Sequence, residues 1–247
     1  MAVMEHLTAE MAHFAADMQR RLVLRSLAAW PRRGRALLDV NCGDGAFLPL
    51  LGDCGFDLTA TEADHEARRH AARAPLCVEI LAAQASHLPW GADAFDYVVL
   101  HLDHVGADAV EDMVAEAFRV AAAGLAVTFW NAASLPLLGR GRRFRPFAVS
   151  WWRVWRAMKR LRGGSLSGAS VLAGPCRTWR AESRFSRCNG VLPWPPLGAW
   201  ALLRLDLAPG RPVTPLPLPL SLRAHPMSGP EPVLECGRNA DARTARS

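Results

Sequence analysis

Asp39, Asn41, Gly43 and Gly45 stand in the run Leu37-Leu38-Asp39-Val40-Asn41-Cys42-Gly43-Asp44-Gly45, an apolar stretch that meets an acid and then a glycine turn. Such a turn lets the backbone approach a ligand where a Cβ would collide. The spacing D-x-N-x-G-x-G lacks the G-x-G-x-x-G order of a dinucleotide turn, which favours a nucleotide-like ligand without a pyrophosphate. Glu62 lies 17 residues past Gly45, near the offset of roughly 20 residues at which a carboxylate meets ribose hydroxyls in dinucleotide folds. Its two oxygens can accept from both hydroxyls of one ribose. The plain alternatives are a bare strand-to-helix turn for the glycines and, for Glu62, a solvated acid favoured at a helix start by the macrodipole. Further on, His101 and His104 flank Leu102-Asp103 after an apolar run. A neutral imidazole there can act as general base for a substrate hydroxyl or amine. Equally, His104 can cap the next helix or pack beneath the loop, and Asp103 reads as a loop or N-cap residue.

These residues need elements to hold them. Leu37–Val40 and Phe56–Thr61 read as strands, and Ala46–Leu51 as the start of a helix between them. Phe95-Asp96-Tyr97-Val98-Val99-Leu100 reads as a further strand. Asp108 to Val120 has helical periodicity, with Val110, Met113, Val114, Ala117, Phe118 and Val120 on the apolar face. Gly124 ends the connection, and Leu125–Asn131 is the next strand. Strands alternating with helices predict a mostly parallel sheet covered on both faces.

The glycine run resembles motif I of the class I S-adenosylmethionine (SAM)-dependent methyltransferases, D-x-G-x-G-x-G, with Asn41 in place of the first glycine. Asn tolerates positive φ better than most residues, so that exchange is mild. The stretch Ala83 to Val99 is similar to the family's G-D-A-x-x-L-P-F-x-x-x-x-F-D-x-V-V, through Leu88-Pro89-Trp90 and Phe95-Asp96-Tyr97-Val98-Val99. The resemblance runs from about Leu37 to Asn131. It implies a three-layer α/β/α Rossmann-like sandwich whose seven-stranded, mostly parallel sheet ends in an antiparallel strand. It implies SAM as cofactor, with Asp39, Asn41, Cys42, Gly43 and Gly45 in the cofactor loop. Glu62, followed by Ala63, would hold the ribose. Gln84 and Ala85 would lie near the adenine, and Leu100 and His101 at the methionine end. His101 and His104 are the candidate catalytic residues, and Asp96 would order the loop before its strand. The chain departs from the family at Asn41, at Gln84 where an acid is usual, and at Arg119–Gly124, which lacks a proline and a glycine. Those departures motivate an alternative, a degenerate non-catalytic member acting as a binding or scaffold protein.

The chain has 247 residues, 51% of them hydrophobic, and a net charge of +6. Lys159 is its one lysine, so the positive charge is nearly all arginine. The six cysteines show no CxxC pairing, and no stretch has zinc-ligand spacing, so no metal is expected. The N-terminus does not read as a signal peptide and no run is long enough to span a membrane, which predicts a reducing cytoplasm and free thiols. Residues 1–30 read as a helical cap, 31–222 as the methyltransferase domain with a basic Trp-rich insertion at about 132–190, and 223–247 as a disordered tail.

Arg140, Arg142, Arg143, Arg145, Arg153, Arg156, Lys159, Arg160 and Arg162 have no acid among them. Ser150 would cap a helix whose apolar side is Trp151, Val154, Trp155, Met158 and Leu161. That helix packs on the sheet as a lid, or lies on an anionic membrane surface, or holds nucleic acid or another anionic substrate. The acceptor is not specified beyond a small-molecule or lipid-like nucleophile at O, N, S or C. Gly163 to Asn189 reads as loop-rich, Ala199–Leu207 as a strand, and Val213–Leu216 as the start of an edge strand weakened by prolines.

Overall fold

The computed structural model describes residues 7–73, 78–103, 107–138, 148–161, 163–181, 183, 186–193 and 197–207. Strand β1 (Ala36–Val40) is buried at four of its five positions, as a central strand covered on both faces must be. It lies between β2 (Asp57–Thr61) and β4 (Phe95–His101), parallel to both. β3 (Glu79–Leu81) extends the sheet beyond β2, and β5 (Ala121–Trp130) extends it beyond β4, again parallel. Two further strands, β6 (Ser165–Val171) and β7 (Trp200–Asp206), complete the seven-stranded order β3-β2-β1-β4-β5-β7-β6, with β7 antiparallel to both neighbours. The chain runs outward from β1 in both directions, so β1 and β4 border the switch point where ligands of open α/β sheets bind.

One face of the sheet is covered by α4 (Val110–Val120) and α6 (Trp151–Arg160), around a core that includes Leu38, Val98, Leu125, Val127, Phe129 and Leu203. The other face is covered by α1 (Ala9–Leu27), α2 (Leu48–Asp53) and α3 (His65–Ala71). Thr8 caps α1 by accepting from the Met11 N–H at 3.4 Å, and Ala15, Leu22, Val23 and Leu27 turn inward. Beyond α1, Trp30 stacks on Tyr97 at 4.3 Å and donates from Nε1 to Asp206 at 2.7 Å. A Cβ on Gly124 would sit 2.8 Å from the Trp30 ring, so the glycine before Leu125 serves this close approach. A short helix α5 (Leu135–Leu138) follows β5.

The structure departs from the sequence reading in the second half. Ser165–Val171, read as loop, is the edge strand β6, paired with β7 over its whole length. Its small polar residues hide the strand because tertiary pairing, rather than alternation, makes it. β7, within the expected Ala199–Leu207, is therefore the last strand of the described residues in chain order, and Val213–Leu216 lies outside the described residues. β5 begins four residues before the expected Leu125: Ala121 follows α4 directly and pairs with Phe95 across an irregular register. The apolar side of α6 is packed in the core, with Trp151, Val154, Ala157 and Met158 all buried, and is not open to a membrane. Arg153 of α6 pairs with Glu111 of α4 at 2.9 Å. Arg140, Arg142, Arg143, Arg145 and Arg162 lie outside the described residues, as does the expected tail. No described helix is long and apolar enough to cross a membrane.

Candidate functional site

Asp39 reaches the sheet interior from β1 and is fully buried, which costs dearly unless the charge is paired. Its partner is His101, at the end of the neighbouring β4, with Nε2 2.8 Å from Asp39 Oδ1. The other ring nitrogen, Nδ1, lies 2.6 Å from Thr128 Oγ1 on β5. Phe47 stacks flat on the imidazole, at 5.1 Å and 6°, and its other neighbour is Trp200 of β7. Burial works against a charged His101, but Asp39, followed by Asp103 and Glu62, outweighs it and holds the imidazolium above its ordinary range. With 5% exposure and both nitrogens engaged, His101 has no ring atom open to a substrate proton. That removes the condition a general base must meet. His104 lies outside the described residues.

The glycine loop is tied down on both sides. Asn41 adopts φ 56° and donates from Nδ2 to the His101 carbonyl at 3.1 Å, so it fills the family's glycine position and latches β1 to β4. Gly43, at φ 59°, donates its N–H to Glu62 Oε2 at 2.8 Å, and the space a Cβ would occupy there is open. Glu62 Oε1 accepts from the Asp64 N–H at 2.9 Å, with the carboxylate largely buried. Gly45 has φ 80°, and a Cβ would press on Leu48 at 3.0 Å and Ala71 at 3.1 Å, so close packing of α2 and α3 requires it. Cys42 is buried in the loop. Burial, then Asp39 and Glu62, pushes its thiol far up, which keeps it neutral and unreactive.

Asp39, Asn41, Cys42, Gly43, Gly45, Glu62 and His101 thus form one hydrogen-bonded and packed cluster at the ends of β1, β2 and β4. Ala63 follows it on the surface. Gln84 and Ala85 lie just beyond β3, in a turn closed by the His87 N–H to the Gln84 carbonyl at 2.9 Å; Gln84 is exposed and Ala85 buried. Leu100 is fully buried in the core beneath α4 and α6. Asp96 fastens the other end of β1, accepting from Arg35 at 2.7 Å and from the Ala36 N–H at 2.9 Å. Thr128 and Phe47 had escaped the sequence reading. The available signals were a lone hydroxyl in the apolar run Leu125–Trp130 and an aromatic directly after the glycine loop. Among the described residues no three His, Cys, Asp or Glu side chains are grouped to hold a metal.

Residues 37–124 match the family model described as a methyltransferase domain. No curated protein matches the sequence. Among solved structures, the chain is similar to a SAM-dependent methyltransferase from Thermotoga maritima, with 16% identity, 78% of this chain and 92% of that one covered, and a TM-score of 0.59. It is similar also to magnesium protoporphyrin IX methyltransferase from Synechocystis with bound SAH, at 14% identity, 81% and 86% coverage and a TM-score of 0.59. The cyclase SpnF is a third, at 16% identity, 77% and 80% coverage and a TM-score of 0.55. At these identities the likeness is one of fold. The chain thus has the fold of SAM-dependent methyltransferases, with a match to a methyltransferase domain over residues 37–124, and S-adenosylmethionine is the cofactor such a domain uses.

The methyltransferase domain's own atoms fit that cofactor. SAM brings a sulfonium and an ammonium, both cationic. Asp39 Oδ2 and Asp103 Oδ1, at the ends of adjacent strands, are buried carboxylate oxygens with no hydrogen-bond partner. Each Glu62 oxygen accepts one N–H and retains a lone pair for a hydroxyl.

Proposed function

We propose that this chain binds SAM across the ends of β1, β2 and β4 and transfers its methyl group to an O, N, S or C nucleophile of a small-molecule or lipid-like acceptor. The observation that carries the reading is the clasp of Asn41, Gly43 and Glu62, which holds an open glycine loop beside a carboxylate suited to a ribose diol. Bound there, SAM supplies an electrophilic methyl group. The chain's own part is positional. Glu62 braces the loop and faces the ribose, Gly43 allows close approach, and Asp39 with Asp103 sets a negative field for the cationic end. Orientation and exclusion of water can provide much of the acceleration in such a transfer, so a dedicated base is not required. Gln84 would accept from the adenine amino group through its side-chain carbonyl.

The acceptor class rests on α6. Its outer side carries Trp152, 48% exposed, together with Arg156, Lys159 and Arg160, and the helix begins beside the end of β5, where the Trp151 N–H bonds to Asn131. A cationic and aromatic surface suits an acidic or lipid-like acceptor. A second reading, a non-catalytic binding protein, is favoured by one observation: His101 is sealed, with neither ring nitrogen free.

The test is calorimetric titration with SAM and with S-adenosylhomocysteine (SAH), on the wild type and on Glu62→Ala. Micromolar binding is expected, with a loss of about 1–3 kcal/mol, or roughly fivefold to 150-fold, in the variant. No heat from either ligand with folded wild type would sink the reading. Binding without turnover of any screened acceptor would favour the non-catalytic one.

A further inference from the structure

His101 is engaged from every side. Asp39 of β1 takes Nε2, Thr128 of β5 takes Nδ1, and Phe47 ahead of α2 stacks on the ring. The titratable groups around it are the Asp39 carboxylate, Glu62 after β2, Asp103 after β4 and the neutral Cys42 thiol in the loop. Thr128, Phe47 and Trp200, the last meeting it through Phe47, bring no charge. Three carboxylates therefore surround one basic group.

That balance changes with the cofactor. SAM carries a sulfonium charge that SAH lacks, and the two are otherwise the same at this end. A buried imidazolium near a second cation is destabilised, because the low dielectric strengthens their repulsion. Asp39 would face both cations, His101 through Oδ1 and the sulfonium through the unpartnered Oδ2, so the two compete for one negative charge.

We propose that His101 is a positioning residue that balances charge at the cofactor site: as an imidazolium it pairs with Asp39 through Nε2 until the sulfonium arrives, and its Nδ1 proton is then released to water while the Asp39 bond stays. This rests on the reading that SAM lies across the ends of β1, β2 and β4. The step balances as imidazolium plus SAM giving neutral imidazole, bound SAM and a solvent proton. Thr128 Oγ1 can accept from a charged ring and donate to a neutral one, so the ring need not move. After methyl transfer the sulfonium charge is gone, and His101 recovers a proton with SAH in place. The site would thus hold SAM and its product by different charge states of one residue. Protonation opposes SAM, so SAM affinity rises with pH through the folded His101 range, which the Asp39 carboxylate holds above that of an ordinary imidazole.

The experiment is calorimetric titration of the wild type and of His101→Gln with SAM and with SAH, from pH 6.5 to 8.5, in buffers of differing ionisation enthalpy. The Gln amide can occupy the Nε2 position and keep the Asp39 bond without titrating. Half a proton released corresponds to an affinity gain of about threefold per pH unit. Wild type is expected to release several tenths of a proton more with SAM than with SAH, and the variant is expected to lose that excess. An equal SAM–SAH difference in both proteins overturns the proposal, since a group other than His101 would then supply the proton. If neither ligand binds folded wild type, the cofactor reading fails as well, which is a distinct result. Should His101→Gln not fold, nitrogen NMR of the wild-type ring decides. Conversion from imidazolium to neutral signals with SAM but not SAH supports the proposal, and no conversion overturns it.

Discussion

Asn41 shows how one side chain can replace a glycine without giving up its conformation. The loop needs φ near 56° at this position, where most L-residues are strained. Asn tolerates that region and adds a hydrogen bond from Nδ2 to the His101 carbonyl. The two contributions separate by substitution. Asn41→Gly removes the bond but relaxes the backbone, so the cost is expected to stay within about 1 kcal/mol. Asn41→Ala loses both and is expected to cost about 1.5–3 kcal/mol. Urea melts of the two variants check the ordering. An Ala variant as stable as the Gly variant would mean that the backbone at 41 relaxes elsewhere. From sequence, Asn41 was legible as a tolerated exchange in a glycine turn. Its bond to β4 was not, because it joins residues 60 apart in the chain.

At the scale of elements, β6 is the instructive one. Its sequence, Ser-Leu-Ser-Gly-Ala-Ser-Val, has weak strand propensity and a glycine in the middle. It is a strand because β7 offers it a full ladder and because Gly168 lets Trp151 and Leu203 come close. A Cβ there would lie 2.6 Å from both side chains. Gly168→Ala is therefore expected to destabilise by about 1–3 kcal/mol through overpacking. Gly91→Ala, where nothing lies within 4 Å, is expected to change stability by less than about 0.5 kcal/mol. Thermal melts of the pair make the comparison, and equal effects would refute the packing account. The parallel strands β1 and β4, in contrast, were visible as apolar runs after polar turns, since a strand buried on both faces needs little else.

For the whole molecule, the decisive arrangement is α6 laid over α4 and the sheet. Asn131 holds it in place. Its Oδ1 accepts from the Ala133 and Trp151 N–H groups, and its Nδ2 donates to the Gly198 carbonyl. One buried amide thereby joins the end of β5, the start of α6 and the approach to β7. The two adjacent tryptophans then differ sharply, with Trp151 at 1% and Trp152 at 48% exposure. Trp151→Ala is expected to cost about 3–5 kcal/mol and Trp152→Ala under about 0.5 kcal/mol. Chemical denaturation of both variants tests this. Similar losses would mean that the outer face of α6 is also covered in the folded protein.

The sequence by itself determined the cofactor half of this protein. The order of Asp39, the glycine turn, Glu62 and the Leu88–Val99 stretch was enough to predict the sheet and the ligand class. Such features are local: a turn needing positive φ, a carboxylate at a strand end, an apolar run. Tertiary structure alone decided what those residues do to one another. It brought Thr128 and Phe47 to His101, turned a candidate base into the partner of Asp39, and moved the apolar side of α6 into the core. Each of these depends on contacts between segments far apart in the chain, which neither composition nor periodicity records.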